Sequence, residues 1–599
     1  MNTIRFASLT GLGLLLFCAV ARADDAERNL YELFEDYDAW YRAEFPEEAM
    51  QRGDYSHADR ITDQGLAAIE RRHQARMAFA ERLHGLPRAK LNAEDRLNYD
   101  LFELMITRAI EGHRFRAFLW PIGGRFGPQQ SIPQMHERVR FATLSDYRNY
   151  LKRIEQQPRA IEDIIERLRV GVSEGRTPPR VTLAGVPDQF RALLEEGGLE
   201  RLREPLAKFP DAIGPEQRKE LLERFEKTSF PALRNALDRL HAYFVNDYLP
   251  RCRESIAASD LPDGEAYYAY QLRVMTTTDL SAREIHELGL REVDRIRSEM
   301  MEVIRRSDFL EKVPAARELS DDALFARFIQ YLREDPRFYH TSAADLLIGY
   351  RDICKRIDAH LPSLFRTLPR LTYGVREIPA FMAPNQTTAY YSPGDLANGQ
   401  PGYFYANTYA LDQRPKYEMV ALALHESVPG HHFQIAIAQE LPDAPEFRKH
   451  MWVTAFGEGW ALYAERLGIE MGLYEDPYSD FGRLLYEMWR ACRLVVDPGM
   501  HALGWTREQA IDFMLSNTAL SKLNITNEVD RYIAWPGQAT AYKIGELRIR
   551  ALRQRAEDAL GERFNLRDFH DAVLTAGPLP LSVLEQRIDA WIAAQQERE

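Results

Sequence analysis

From residue 24 to about residue 339, apolar residues recur three and four places apart in charged surroundings, as in TLSDYRNYLKRIEQQPRAIEDIIERL at 143–168. That spacing lays them along one stripe of a 3.6-residue helix, whereas a half-buried strand needs strict alternation. The chain is therefore read as mainly α, built from amphipathic helices that bury their stripes against one another. Pro and Gly cluster at 121–133, 175–187 and 261–264, where helices are expected to meet. Ser281 with Glu284 spells a capping box ahead of an amphipathic stretch that ends near Arg306. At 371–409 the texture changes to Tyr, Thr, Phe, Gly and Pro, which predicts short strands and turns inside the helical protein. There is no fixed-period repeat and no low-complexity linker. The 599 residues thus read as one continuous body with a soft boundary, 24–340 forming a helical region and 341–599 carrying the chemistry.

Asp and Glu number 90 against 77 Lys and Arg, a formal charge of -13, which excludes the broad basic surface that nucleic acid requires. Residues 1–5 make a short basic start, 6–20 an apolar run, and Ala21-Arg22-Ala23 places small residues where a signal peptidase reads. The run is shorter than the roughly 20 residues a membrane span needs. A signal peptide over 1–23, cleaved near Ala23, predicts a periplasmic or secreted protein without membrane insertion. Lipidation at Cys18 is the weaker reading, because bulky Phe17 precedes it. Cys252, Cys354 and Cys492 are too few and too scattered for a disulfide framework and read as small buried residues.

The chemistry begins at YEMVALALHESVPGHHFQIAIAQE, 417–440. An apolar helix delivers His425 and Glu426 to its end, a costly place for ionisable groups without a task. In a zinc helix of the HExxH kind a second histidine stands four residues after the first, and the Glu activates water. Here that place holds Pro429, and the next histidines are His431 and His432. On a straight helix His432 returns to the face of His425. Pro429 cannot donate to the carbonyl of His425, so a break at Pro429-Gly430 is expected, which brings His431 into play. His431 is favoured as the metal ligand, with His432 as the alternate. For the third ligand, WVTAFGEGWALYAER at 452–466 offers Glu458 between two glycines that admit a close backbone. Glu465, on the same face, is the alternate ligand or an acceptor behind a ligand histidine.

HESVPGHHFQ at 425–434 followed by GEGWALYAE at 457–465 resembles the bacterial family called domain of unknown function 885, whose members resemble gluzincin zinc metallopeptidases. The similarity extends to 261–290, 403–409, 495–511 and 531–546. The resemblance implies a large helical body with a deep central cleft, a small β-sheet beside a zinc-binding helix, zinc as cofactor, and peptide-bond hydrolysis. In gluzincins an extended substrate pairs with a sheet edge, for which Tyr390, Tyr405 and Asn407 lie in the Tyr-rich segment. A peptidase also needs a donor for the oxyanion. Tyr532, Tyr542 and His501 are the candidates, and Arg531 or Lys543 could hold a substrate carboxylate. The reading is an exported zinc metallopeptidase for short peptides, whether oligopeptidase, dipeptidase or carboxypeptidase. The alternatives are an idle peptide-binding protein, which would have no use for Glu426, and a zinc hydrolase of a non-peptide amide or ester.

Overall fold

The computed structural model describes residues 10–137, 139–195, 197–380, 383–396 and 399–597, with backbone alone for 10–24 and 385. The expected cleavage segment 1–23 lies outside these residues apart from the backbone of 10–23, which is continuous with helix α1 (Thr10–Glu44). Contacts divide the chain into two compact units. One comprises Met1–Thr177, Gly185–Arg251 and Asp443–Arg448; the other comprises Pro178–Ala184, Cys252–Pro442 and Lys449–Glu599.

The protein is mainly helical, as the apolar spacing requires. In the first unit, α1 is followed by the short α2 (Pro46–Gln51) and later by the long α3 (Leu144–Ser173). Thr143 and Asp146 close a capping box at the start of α3, and Leu151, Ile154, Ile161 and Leu168 form its buried stripe. In the second unit, α4 (Ala282–Arg306) starts at the Ser281–Glu284 capping box and ends at the expected residue. It packs along α8 (Pro477–Ala502).

Three strands form where the texture changes: β1 (Tyr373–Glu377), β2 (Ala389–Ser392) and β3 (Gly402–Ala406). Their order is β1-β3-β2, with β1 parallel and β2 antiparallel to β3, so β3 is the middle strand. After the sheet come α5 (Met419–Glu426), α6 (His431–Gln439), α7 (Thr454–Leu467), α8, α9 (Lys522–Ala534) and α10 (Ala541–Leu560). Strand β2 lies against α5, and α7 packs on α10. The α7–α10 approach is close because both helices carry glycine there: a Cβ on Gly459 would meet the Gly545 Cα at 2.5 Å. Cys252, Cys354 and Cys492 are buried thiols outside any disulfide bond. Among the described residues, no helix is long and apolar enough to cross a membrane.

Candidate metal centre

All eight residues of α5 are buried. The helix stops at Glu426, and α6 begins at His431 after Ser427, Val428, Pro429 and Gly430 have left the helical path. Gly430 is needed at this bend, since a Cβ there would lie 2.0 Å from the carbonyl oxygen of His425. The indole Nε1 of Trp460 on α7 donates to the Pro429 carbonyl at 2.7 Å, and the Ser427 hydroxyl donates to the Ala423 carbonyl at 2.5 Å. The break therefore costs no unpaired carbonyl at Pro429, and it carries the next helix to a new start at the histidines.

His425, His431 and Glu458 converge, one ligand atom from each lying within 4.8 Å of the others. Glu458 Oε2 stands 3.3 Å from His431 Nε2 and 3.7 Å from His425 Nε2. Donors each about 2.0–2.2 Å from a tetrahedral ion stand about 3.3–3.6 Å apart, close to these two separations, so the three side chains could hold a metal ion. The same Glu458 oxygen is buried and makes no hydrogen bond. Burial alone would raise the Glu458 pKa; the imidazoles of His431 and His425 overcome it and hold the carboxyl well below its usual range. For His425, burial works downward, but Glu458 and Glu465 push its pKa up to about 9. A cluster that attracts positive charge so strongly is electrostatically suited to a cation.

Behind His425 stands Glu465, whose Oε1 accepts from Nδ1 at 2.8 Å and pairs with Arg490 at 3.2 Å. This leaves His425 Nε2 facing Glu458, which is how a carboxylate behind a ligand histidine sets its tautomer. Glu465 is thus the acceptor of the two roles expected for it. His432 points elsewhere. Its Nδ1 takes the Tyr391 hydroxyl at 2.9 Å, its Nε2 meets the Leu371 carbonyl at 3.1 Å, and burial lowers its pKa to about 4. Both ring nitrogens are committed, so it is a neutral structural histidine. Glu426, at the end of α5, is 8 % exposed, and its carboxylate has no ion-pair partner among the described residues.

The expected supporting residues separate clearly. Tyr542 stacks on the His425 ring at 6.4 Å and 15°, and the Arg493 guanidinium stands 4.4 Å from the centre of the phenol ring. Its hydroxyl accepts from Gln538 at 3.3 Å, and its own proton has no acceptor among the described residues. Burial, then the Glu458 charge, raises its pKa, so the phenol stays a donor. Tyr532 is buried and committed: it accepts from Trp489 and Arg493 and gives its one proton to Glu528, each at 2.9 Å. His501 is also committed, its Nδ1 accepting from the Ala258 amide at 3.1 Å and its Nε2 meeting the Tyr532 carbonyl at 3.0 Å.

Arg531 is bound to Glu528 and to Gln538, the second link setting the amide that reaches Tyr542. Lys543 is fully buried among Glu487, Glu546 and Glu292 at 2.7, 2.8 and 3.2 Å, where it neutralises carboxylates of α8, α10 and α4 and cannot meet a substrate. Asn407 spends its amide on the carbonyls of Ala383 and Thr387 and shapes the loop before β2. Tyr390 and Tyr405 are cross-strand partners, stacked at 4.9 Å. Since β3 is hydrogen-bonded on both sides, an extended ligand could pair only with an outer strand, and β2 is the one beside α5. Arg490 and Arg493 escaped the reading of the sequence, although two arginines in the buried run WRACRLVV at 489–496 were a signal that carboxylates must lie opposite.

Fold and site together define a mainly helical protein whose second unit gathers a His-His-Glu set able to hold a metal ion. The chain matches the family described as bacterial protein of unknown function (DUF885) over residues 46–588 and belongs to it. It is similar to the crystal structure of a candidate lipoprotein from Colwellia psychrerythraea, with a TM-score of 0.84 and 26% identity, covering 95% of this chain and 99% of that one. It is similar also to a candidate lipoprotein of unknown function from Shewanella oneidensis, with a TM-score of 0.65 and 18% identity over 93% of this chain and 98% of that one, a likeness of fold. No curated protein matches the chain.

Proposed function

We propose that this chain is a zinc metallopeptidase of the gluzincin type acting on short peptides. The observation that carries the reading is the convergence of His425, His431 and Glu458, with Glu426 next to the first ligand at the end of the same helix. When bound, zinc would supply Lewis-acid polarisation of the scissile carbonyl and make water a better nucleophile at neutral pH. Glu426 would take the proton of the attacking water and return it to the leaving amine. Tyr542 would donate to the developing oxyanion, and Glu465 would hold His425 in the ligating tautomer. Strand β2 is the natural partner for an extended peptide.

Metal analysis together with hydrolysis of a mixed peptide library tests this. Glu426→Gln should keep the metal and lose at least about 100-fold in turnover, the lower end of what general base catalysis contributes. Tyr542→Phe should also cost about 100-fold with substrate affinity little changed, whereas Tyr532→Phe should affect stability. Full hydrolysis by metal-loaded Glu426→Gln would remove the mechanism. An exported location rests on the basic and apolar start of the chain and on the descriptions of the two similar structures as candidate lipoproteins. A mature N-terminus at Asp24 is expected from N-terminal sequencing; a lipid-modified Cys18 would replace it by a membrane-anchored form.

A further inference from the structure

Of the large apolar side chains that stand exposed, Trp452 alone is in ring contact with a ligand histidine among the described residues. Its indole, 45 % exposed, lies 6.1 Å from the His431 ring and is tilted 54° to it. A single exposed aromatic asks for no explanation by itself. This one, however, is held in a set place. Its benzene edge, at Cη2, Cζ2 and Cζ3, occupies the notch left by the missing side chain of Gly457, where a Cβ would run into those atoms. Gly457 immediately precedes the ligand Glu458 on α7, so the indole is fixed against the helix that carries one ligand and beside the ring of another.

Each of the two ligand imidazoles is thus faced by an aromatic ring, with different consequences. Tyr542, against His425, brings a hydroxyl to the site, whereas Trp452, against His431, brings an exposed apolar surface.

We propose that Trp452 is a specificity-determining residue, its indole receiving an aromatic or large aliphatic side chain next to the scissile bond, which makes the substrates apolar short peptides. The inference rests on the peptidase reading. Such a side chain laid on the indole gains from apolar area removed from water, and an aromatic one gains also from the ring pair. A basic side chain is drawn to an indole face as well. Here it would stand beside a bound cation, and the site's carboxylates Glu458 and Glu426 are spent on the metal and on the attacking water. An acidic side chain would meet the negative face of the ring. Lys449 and His450, just before Trp452 in the chain, are already engaged within the protein.

Two measurements test this. Mass spectrometry of a mixed peptide library cut by the metal-loaded protein should show Phe, Tyr or Leu beside the cleaved bond. For two peptides that differ only in having Phe or Ala at that place, Trp452→Ala should lower the Phe-over-Ala ratio of kcat/KM by about tenfold with metal content held, and Trp452→Phe should restore most of it. The second readout needs no turnover. Calorimetric titration of the same two peptides into metal-loaded Glu426→Gln, with and without Trp452→Ala, should show the same loss of preference in the dissociation constants. Should Trp452→Ala fail to fold, Gly457→Ala, which closes the notch and displaces the indole, should lower the ratio in its place. A preference for Lys or Arg beside the bond, or a Phe-over-Ala ratio that survives the substitutions, overturns the assignment. Hydrolysis of no peptide by the parent strikes the peptidase reading; the titrations then decide for Trp452, and peptide binding that does not depend on it, or no binding, overturns the assignment too.

Discussion

A proline in the fourth place after His425 removes the amide that a continuous helix would have given to the His425 carbonyl, and everything at the metal centre follows from where the chain goes next. It leaves the helix for four residues and restarts at His431, which brings that ring to 4.7 Å from the ring of His425. His432, one residue on, is turned to Tyr391 and Leu371 instead. The comparison of His431→Ala with His432→Ala isolates this bend. Zinc content measured on the purified variants should fall for His431→Ala only, by about tenfold or more in affinity, on the order seen even for residues behind the ligands. His432→Ala should keep the metal and lose about 1–3 kcal/mol of stability, since it strands the buried Leu371 carbonyl. Loss of metal in His432→Ala alone would mean that the bend does not select His431.

Helices in the second unit are tied together by buried charges as well as by apolar stripes, and α8 shows how. Its Asp497 is fully buried, accepting from the Tyr268 hydroxyl at 2.6 Å and the Gly537 amide at 3.0 Å. Burial outweighs those bonds and raises its pKa to about 7. A carboxyl whose pKa is raised by folding binds more protons folded than unfolded, so its contribution to stability falls as pH rises between about 4 and 7. Asp497→Asn preserves an acceptor oxygen and removes that dependence. Denaturant unfolding at pH 5 and pH 7.5 should show the variant gaining on the parent as pH rises, by about 1.4 kcal/mol for each step of one in pH until the folded-state pKa is passed. Parallel stabilities at the two pH values would mean that Asp497 is ionised throughout. The Lys543 cluster works in the same unit: one ammonium serves three helices, α4, α8 and α10, which explains why so suggestive a lysine has no part in substrate contact.

At the scale of the molecule, the metal centre and its supporting residues all belong to one of the two compact units. Unfolding of such a chain is not expected to be a single two-state event. A ligand stabilises the part that binds it, by about 2.7 kcal/mol when free ligand is about 100 times its dissociation constant. Differential scanning calorimetry should therefore show chelation lowering the transition of the unit with His425, His431 and Glu458 and leaving another transition in place. Equal lowering of every transition, or of none, would count against a metal held by these three residues alone.

The sequence by itself determined the helical class, the capped helix ending at Arg306, the strands within 371–409 and the interruption between the histidines. Each depends on neighbours within a few residues: a 3.6-residue period, a Ser and Glu three apart, a proline without an amide. The grouping of His425, His431 and Glu458 was legible for a related reason, since ionisable residues set into apolar helices advertise a task. Only the tertiary structure decided which of two similar tyrosines carries a free phenol proton. Tyr532 and Tyr542 lie in one segment, but Glu528 and Arg493 close around the first, while the second stacks on His425. Arg490 and Lys543 were settled in the same way, by carboxylates brought from distant helices. A side chain's type fixes what it can donate or accept; which partner arrives to use it depends on packing between segments far apart in the chain, and no local pattern records that.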